Sequence, residues 1–76
     1  MADPGALGRN VERLRVDLGW TQVRLADESG VSQAFISSLE GGRRQDAESR
    51  LVAALAKALG VTVDALLEEE GEANAR

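Results

Sequence analysis

Three residue types that carry much of protein chemistry are missing from this chain of 76 residues. It has no cysteine, no histidine and no tyrosine. Without cysteine there is no disulfide and no thiolate metal site. Without histidine the commonest metal ligand and proton shuttle is gone. Catalysis would rest on carboxylates, serines, threonines or Lys57, and no nucleophile stands beside a plausible base, so an enzyme is not expected. No cofactor, no metal site and no small-molecule ligand is evident. Long apolar runs are missing too: the longest are a few residues, far short of a membrane span. The opening MADPGALGRN lacks the basic start and apolar core of a signal peptide. These absences point to a cytoplasmic protein. The length suits one small domain.

The formal charge is −4, which at first disfavours an acidic partner such as DNA. The charge is unevenly spread. Residues 68–76 hold four acids and one base, whereas residues 1–67 hold eight bases and nine acids. The body of the chain is nearly neutral, so local placement of arginine matters more than the total.

What is present is a series of helical patterns with punctuation. Asp3-Pro4 predicts a helix opening. Leu7, Val11, Leu14 and Leu18 follow as one apolar stripe, weakened early by Gly5 and Gly8 and stopped by Gly19. Thr21 caps a second helix over about 22–29, with Val23, Leu25 and Ala26 as its apolar side and Gly30 at its end. Ser32 caps a third over about 33–40, carrying Phe35, Ile36 and Leu39 and ended by Gly41-Gly42. Residues 43–46 read as a polar loop. Asp46 predicts the cap of a fourth helix, with Ala47, Glu48 and Ser49 in its first turn. Leu51, Val52, Leu55, Ala56 and Leu59 form its buried face, and Gly60 ends it. Thr62 caps a short fifth helix with Val63, Leu66 and Leu67. No strand alternation, internal repeat or linker is seen. The expected fold class is all-α, a compact five-helix domain over 1–67, followed by an acidic, disordered tail over 68–76.

Residues 21–42, TQVRLADESGVSQAFISSLEGG, hold two short helices with almost nothing between them. Helices joined so tightly cross steeply, the layout of a helix-turn-helix at helices two and three. Ala26 is small where those helices meet, and Gly30 tolerates the positive φ of the turn. Gln33, Ser37 and Ser38 are polar and short between the inward anchors Ile36 and Leu39.

Four segments, LGRNVERLR, GWTQVRLA, SGVSQAFISSLEGGR and LAKALGVTVDALL, together resemble the lambda-repressor and Cro type of helix-turn-helix domain, also called xenobiotic-response-element-like. The resemblance covers residues 7–67. One departure is the segment RRQDAESR, which lacks the proline and leucine usual after the basic loop and is about one residue longer. The resemblance implies base contacts from Gln33, Ala34, Ser37 and Ser38, with the Gln33 amide suited to an adenine edge. It implies backbone contacts from Gln22, Ser32, Arg43 and Arg44. Phe35 faces either DNA, packing on a thymine methyl or the sugar backbone, or the core or a dimer contact. Trp20, at the corner of helices one and two, is read as structural. The resemblance also implies an ion pair between Arg15 and Glu40 that orients the recognition helix. The acids Glu68, Glu69 and Glu70 point in different directions on a helix and are read as solvated.

The function expected is a sequence-specific, DNA-binding transcriptional regulator acting on double-stranded DNA, associated with the nucleoid. One recognition helix covers few base pairs, so a homodimer on an inverted repeat, with half-sites about 34 Å apart, supplies the rest. Val61, Val63, Leu66 and Leu67 either form that dimer surface or close the core. The size is similar to controller proteins of restriction–modification systems and to compact phage or plasmid repressors. The alternatives are an antitoxin with a DNA-binding domain, or a protein-interaction module that kept the fold and lost DNA binding.

Overall fold

The computed structural model describes residues 5–68. They form five helices: α1 (Ala6–Asp17), α2 (Gln22–Ser29), α3 (Gln33–Glu40), α4 (Ser49–Leu59) and α5 (Val63–Leu67), and no strand is present among the described residues. The core is built from Leu7 and Val11 of α1, Leu25 of α2, Ile36 and Leu39 of α3, Val52, Leu55, Ala56 and Leu59 of α4, and Leu66 of α5. Every helix therefore contributes at least one fully buried apolar side chain to one shared centre.

The caps expected from sequence are made. The hydroxyls of Thr21, Ser32 and Thr62 accept from the backbone N–H groups of Arg24, Phe35 and Ala65, at 3.0, 3.1 and 3.1 Å. Each satisfies a donor that the first helical turn leaves open. The Asp3-Pro4 opening lies outside the described residues, as do 69–76 of the acidic tail. Gly5 takes the cap position of α1 and offers no side-chain hydrogen bond.

Three apolar expectations are corrected. Leu18 is 47% exposed rather than part of the α1 stripe. The helix ends at Asp17, and its last turn directs Arg15 to Glu40 instead. Val23 is 52% exposed. It lies two residues from buried Leu25, about 200° around a helix, so both cannot face inward. Of the fifth-helix candidates, Leu66 is fully buried within the monomer and Val61 packs against the core, which leaves Val63 and Leu67 on the surface.

The fourth helix starts later than expected, at Ser49 with Glu48 extended before it, and no side chain caps it. Residues 44–48 have no regular structure, and Ala47 among them packs against the core. Extended chain covers about 3.3 Å per residue against 1.5 Å in a helix. Keeping residues 46–48 out of the helix thus lengthens the bridge from α3 to α4.

Two residues that the apolar pattern passes over hold α1 in place. Gly8 is buried where α1 crosses α3, and a Cβ there would overlap the backbone carbonyl of Leu39. Asn10 is 1% exposed and donates from Nδ2 to the carbonyls of Leu66 and Glu68, at 2.8 and 2.6 Å. It ties the end of α5, and the first residue of the expected tail, to α1. Its two bonds satisfy carbonyls that a five-residue helix leaves open.

Gly8→Ala tests the close approach. Alanine is the better helix former by about 1 kcal/mol, yet overpacking should reverse the sign and cost about 1–3 kcal/mol net. Urea denaturation should show a lower midpoint than the wild type; an equal or higher midpoint would refute the tight crossing.

Candidate nucleic-acid interface

The turn between α2 and α3 is set by local chemistry. Gly30 sits at φ 77°, in the left-handed region, and its N–H donates to the carbonyl of Ala26 at 2.8 Å. Only glycine enters that region without steric cost. Ser29 secures the same corner. Its hydroxyl donates to the Leu25 carbonyl at 2.7 Å and accepts from the Val31 N–H at 3.1 Å. Val31 then buries its side chain. The sequence pattern did not single out Val31, although an apolar residue next to a turn glycine is a usable sign of an anchored corner.

With the corner locked, Ile36 and Leu39 point into the core and the rest of α3 turns outward. Gln33 and Ala34 are exposed at its start, and Ser37 and Ser38 are half-buried one turn on. Ser32 is exposed just ahead of them. Its oxygen caps the helix, which leaves its O–H free to donate. These side chains share one outward ridge. Phe35 is half-buried: its ring packs against the core, and the Arg44 guanidinium lies over it, 5.1 Å from the ring centre.

The chain then folds back over the end of α3. The backbone N–H groups of Arg43 and Arg44 both donate to the Ser38 carbonyl, at 3.0 and 3.1 Å. Arg43 also reaches the Ser37 hydroxyl through a long contact of 3.4 Å. Both arginines are exposed, and among the described residues neither makes an ion pair.

Behind this ridge lies a polar junction of α1, α2 and α3. Arg15 donates from Nε and Nη2 to the two oxygens of Glu40, at 2.8 and 2.9 Å. Its Nη1 donates to the carbonyl of Trp20 at 2.6 Å. The Gln22 amide donates to Oε1 of Glu40 at 3.0 Å. The side chains of Arg15 and Glu40 are 12% and 3% exposed. The hydrogen bond to Glu40 holds the Arg15 guanidinium above its ordinary pKa, against the opposing cost of burial. Gln22, assigned to a phosphate from sequence, is thus oriented from behind, with the rest of its amide left for an outside partner. Trp20 packs against the core, and the Arg24 guanidinium lies 4.7 Å from its ring centre.

Elsewhere the surface offers less. No group of three or more histidine, cysteine, aspartate or glutamate residues stands together among the described residues. No helix described is long and apolar enough to cross a membrane. Ala6, Leu7, Ala47, Val52, Val63 and Leu67 line a groove of about 550 Å³ between α1, α4 and α5.

Comparison with known proteins gives a consistent result. A family model of the helix-turn-helix domain matches residues 6–69. The chain is 46% identical over 56 residues to an uncharacterised HTH-type transcriptional regulator, y4dJ, of Sinorhizobium fredii; the match covers 74% of this chain and 71% of the relative. Among solved structures, a hypothetical transcription factor, NHTF, from Neisseria superposes with a TM-score of 0.83 at 35% identity, over 93% of this chain and 82% of its own. One chain of the SinR protein/SinI protein complex superposes with a TM-score of 0.81 at 25% identity. That match covers 88% of this chain, which spans 65% of the SinR/SinI chain.

The junction makes a sharp prediction. Arg15→Ala leaves a nearly buried Glu40 without its partner and should cost about 3–5 kcal/mol. Replacing both residues by leucine removes the stranded charge, so the double variant should be more stable than Arg15→Ala alone. Urea denaturation of the set decides: equal stability of Arg15→Ala and wild type would show that the pair carries no weight.

Proposed function

The chain belongs to the helix-turn-helix domain family of transcriptional regulators, and from that premise we propose that it binds a specific double-stranded DNA operator through the outward ridge of α3. The observation that carries this reading is the pairing of an uncovered polar ridge with a buried ion-pair junction directly behind it. A reading surface has to be open to the groove and rigid at once. The family and the matched relative are helix-turn-helix transcriptional regulators, which are not enzymes.

In this reading Gln33, Ala34, Ser37 and Ser38 face base edges in the major groove. Gln22, Ser32 and Arg43 hold the sugar–phosphate backbone and set the docking angle without reading sequence. The protein acts in the cytoplasm at the nucleoid, as a homodimer on an inverted repeat. Support for the dimer is that Val63 and Leu67 stay 38% and 54% exposed beside the groove between α1, α4 and α5. A repressor or controller role is the simplest consequence of such a domain occupying a promoter. The chain matched in the SinR/SinI complex comes from an assembly of two different proteins, so a heterologous partner, as in an antitoxin, is the second reading.

Electrophoretic mobility shift with DNA from upstream of its own gene is the direct test. A shift at low salt that weakens steeply as salt rises is expected; no shift by the folded protein would overturn the proposal. Gln33→Ala should lower affinity for the shifted fragment by about 1–3 kcal/mol and relax one base position. Arg43→Ala should instead weaken specific and scrambled DNA alike and reduce the salt slope by about one. Sedimentation velocity tests the dimer: Leu67→Glu should move the protein to monomer, and an unchanged dimer would exclude this surface.

A further inference from the structure

Resting on the DNA-binding reading above, we infer that Arg44, stacked on Phe35, is a specificity-determining residue that reads a guanine edge, and that Phe35 is the positioning residue for its guanidinium plane. The sequence groups Arg44 with Arg43 as a backbone contact. The structure separates the two.

Three observations bear on Arg44: the first and third it shares with Arg43, and the second, its stacking, sets it apart. The first is its anchorage: its backbone N–H donates to the Ser38 carbonyl at 3.1 Å, so the side chain starts from the end of α3 and not from a free loop. The second is its plane. The guanidinium lies 5.1 Å from the centre of the Phe35 ring, and that ring is itself backed by the core. A cation on an aromatic face is attracted to it, and the flat guanidinium stacks well there. The third is its edge. Among the described residues no carboxylate pairs with Arg44, so its N–H donors remain available. They border an open cleft of about 710 Å³ shared with Ser38, Arg43, Gln45 and Asp46.

A phosphate needs charge nearby and tolerates many orientations. A base edge needs a plane held in place. Guanine presents O6 and N7 side by side in the major groove, and the planar fork of arginine matches them with two parallel bonds. Stacking on Phe35 restrains the long side chain before DNA arrives, so less freedom is lost on binding. Phe35 lies one turn before Ser38 on α3, and Ser38 is one of the proposed base contacts. Arg44 therefore sits alongside the reading ridge, while Arg43 bends to Ser37 at its far side. This also accounts for a half-buried phenylalanine on the flank of a recognition helix. One face completes the core and the other carries the arginine.

The test is selection of binding sites from a randomised duplex pool by the full chain, for wild type, Arg44→Lys, Arg44→Ala, Phe35→Leu and Phe35→Tyr. Affinities for the selected duplex, for its single-base variants and for a scrambled duplex are then measured at several salt concentrations. Arg44→Lys keeps the charge and loses the fork. It should lower the preference for guanine at one position by about 10- to 100-fold, with scrambled-DNA affinity and salt slope as in wild type. Phe35→Leu should lose part of the same preference, and Phe35→Tyr, which keeps the ring, should retain it. Melting temperatures identify any variant that fails to fold; if Phe35→Leu does, Arg44→Lys decides. Retention of the guanine preference by Arg44→Lys would overturn the assignment. So would Arg44→Ala weakening selected and scrambled duplexes equally with a salt slope reduced by about one, the signature of a phosphate contact. If wild-type protein selects no motif at low salt, DNA reading itself fails and this assignment falls with it.

Discussion

The bidentate pair between Arg15 and Glu40 is the interaction on which the arrangement of α3 depends. Glu40 is the last residue of α3 and Arg15 lies in the last turn of α1, so the pair joins two elements distant in sequence. Burying a carboxylate is costly unless it is fully bonded. Glu40 meets that condition only when Arg15 and the Gln22 amide are both in place. A small rotation of α3 would strand the charge. The junction therefore contributes more to fixing the orientation of α3 than to net stability, since an apolar replacement of similar shape can be equally stable.

Two other constraints act on the same crossing. Gly8 lets α1 lie directly against the backbone of α3, at a distance that any side chain would prevent. Gly30 and Ser29 fix the corner between α2 and α3. The apolar core supplies the driving force for collapse, but it is tolerant of small slides between helices. Close backbone approach, a left-handed turn and a buried charge pair are not tolerant. Together they convert a packed bundle into one that presents a single face at a single angle. Because Gln22 shares Glu40 with Arg15, the proposed backbone clamp is tied directly to the end of α3.

Much of this was legible along the chain. The spans of α2 and α3 follow from Thr21, Gly30, Ser32 and the inward anchors, because capping and glycine punctuation are local chemistry. The ion pair was implied by resemblance and is present. The errors share a cause. Apolar character alone places Leu18 and Val23 inward, yet whether an apolar residue is covered depends on which neighbour arrives. The start of α4 was misplaced because Asp46 is a sound cap in isolation, while the span from α3 and the docking of Ala47 require extended chain there. Asn10 was overlooked because its partners are carbonyls at the other end of the domain. Gly8 was noticed only as a weak helix former, although a glycine inside a helical pattern also marks close approach.

The sequence by itself determined the helical elements, their order, the turn chemistry and the polar ridge of α3, since each is written within a few neighbouring residues. Tertiary structure alone decided what stands behind and beside that ridge. It brought Gln22 to Glu40, tied α5 to Asn10, left Val63 and Leu67 uncovered, and laid Arg44 across Phe35. These pairings join residues that no local period relates. They exist only because the shared core sets the helices at fixed distances and angles, and side-chain partners are then chosen by proximity in space.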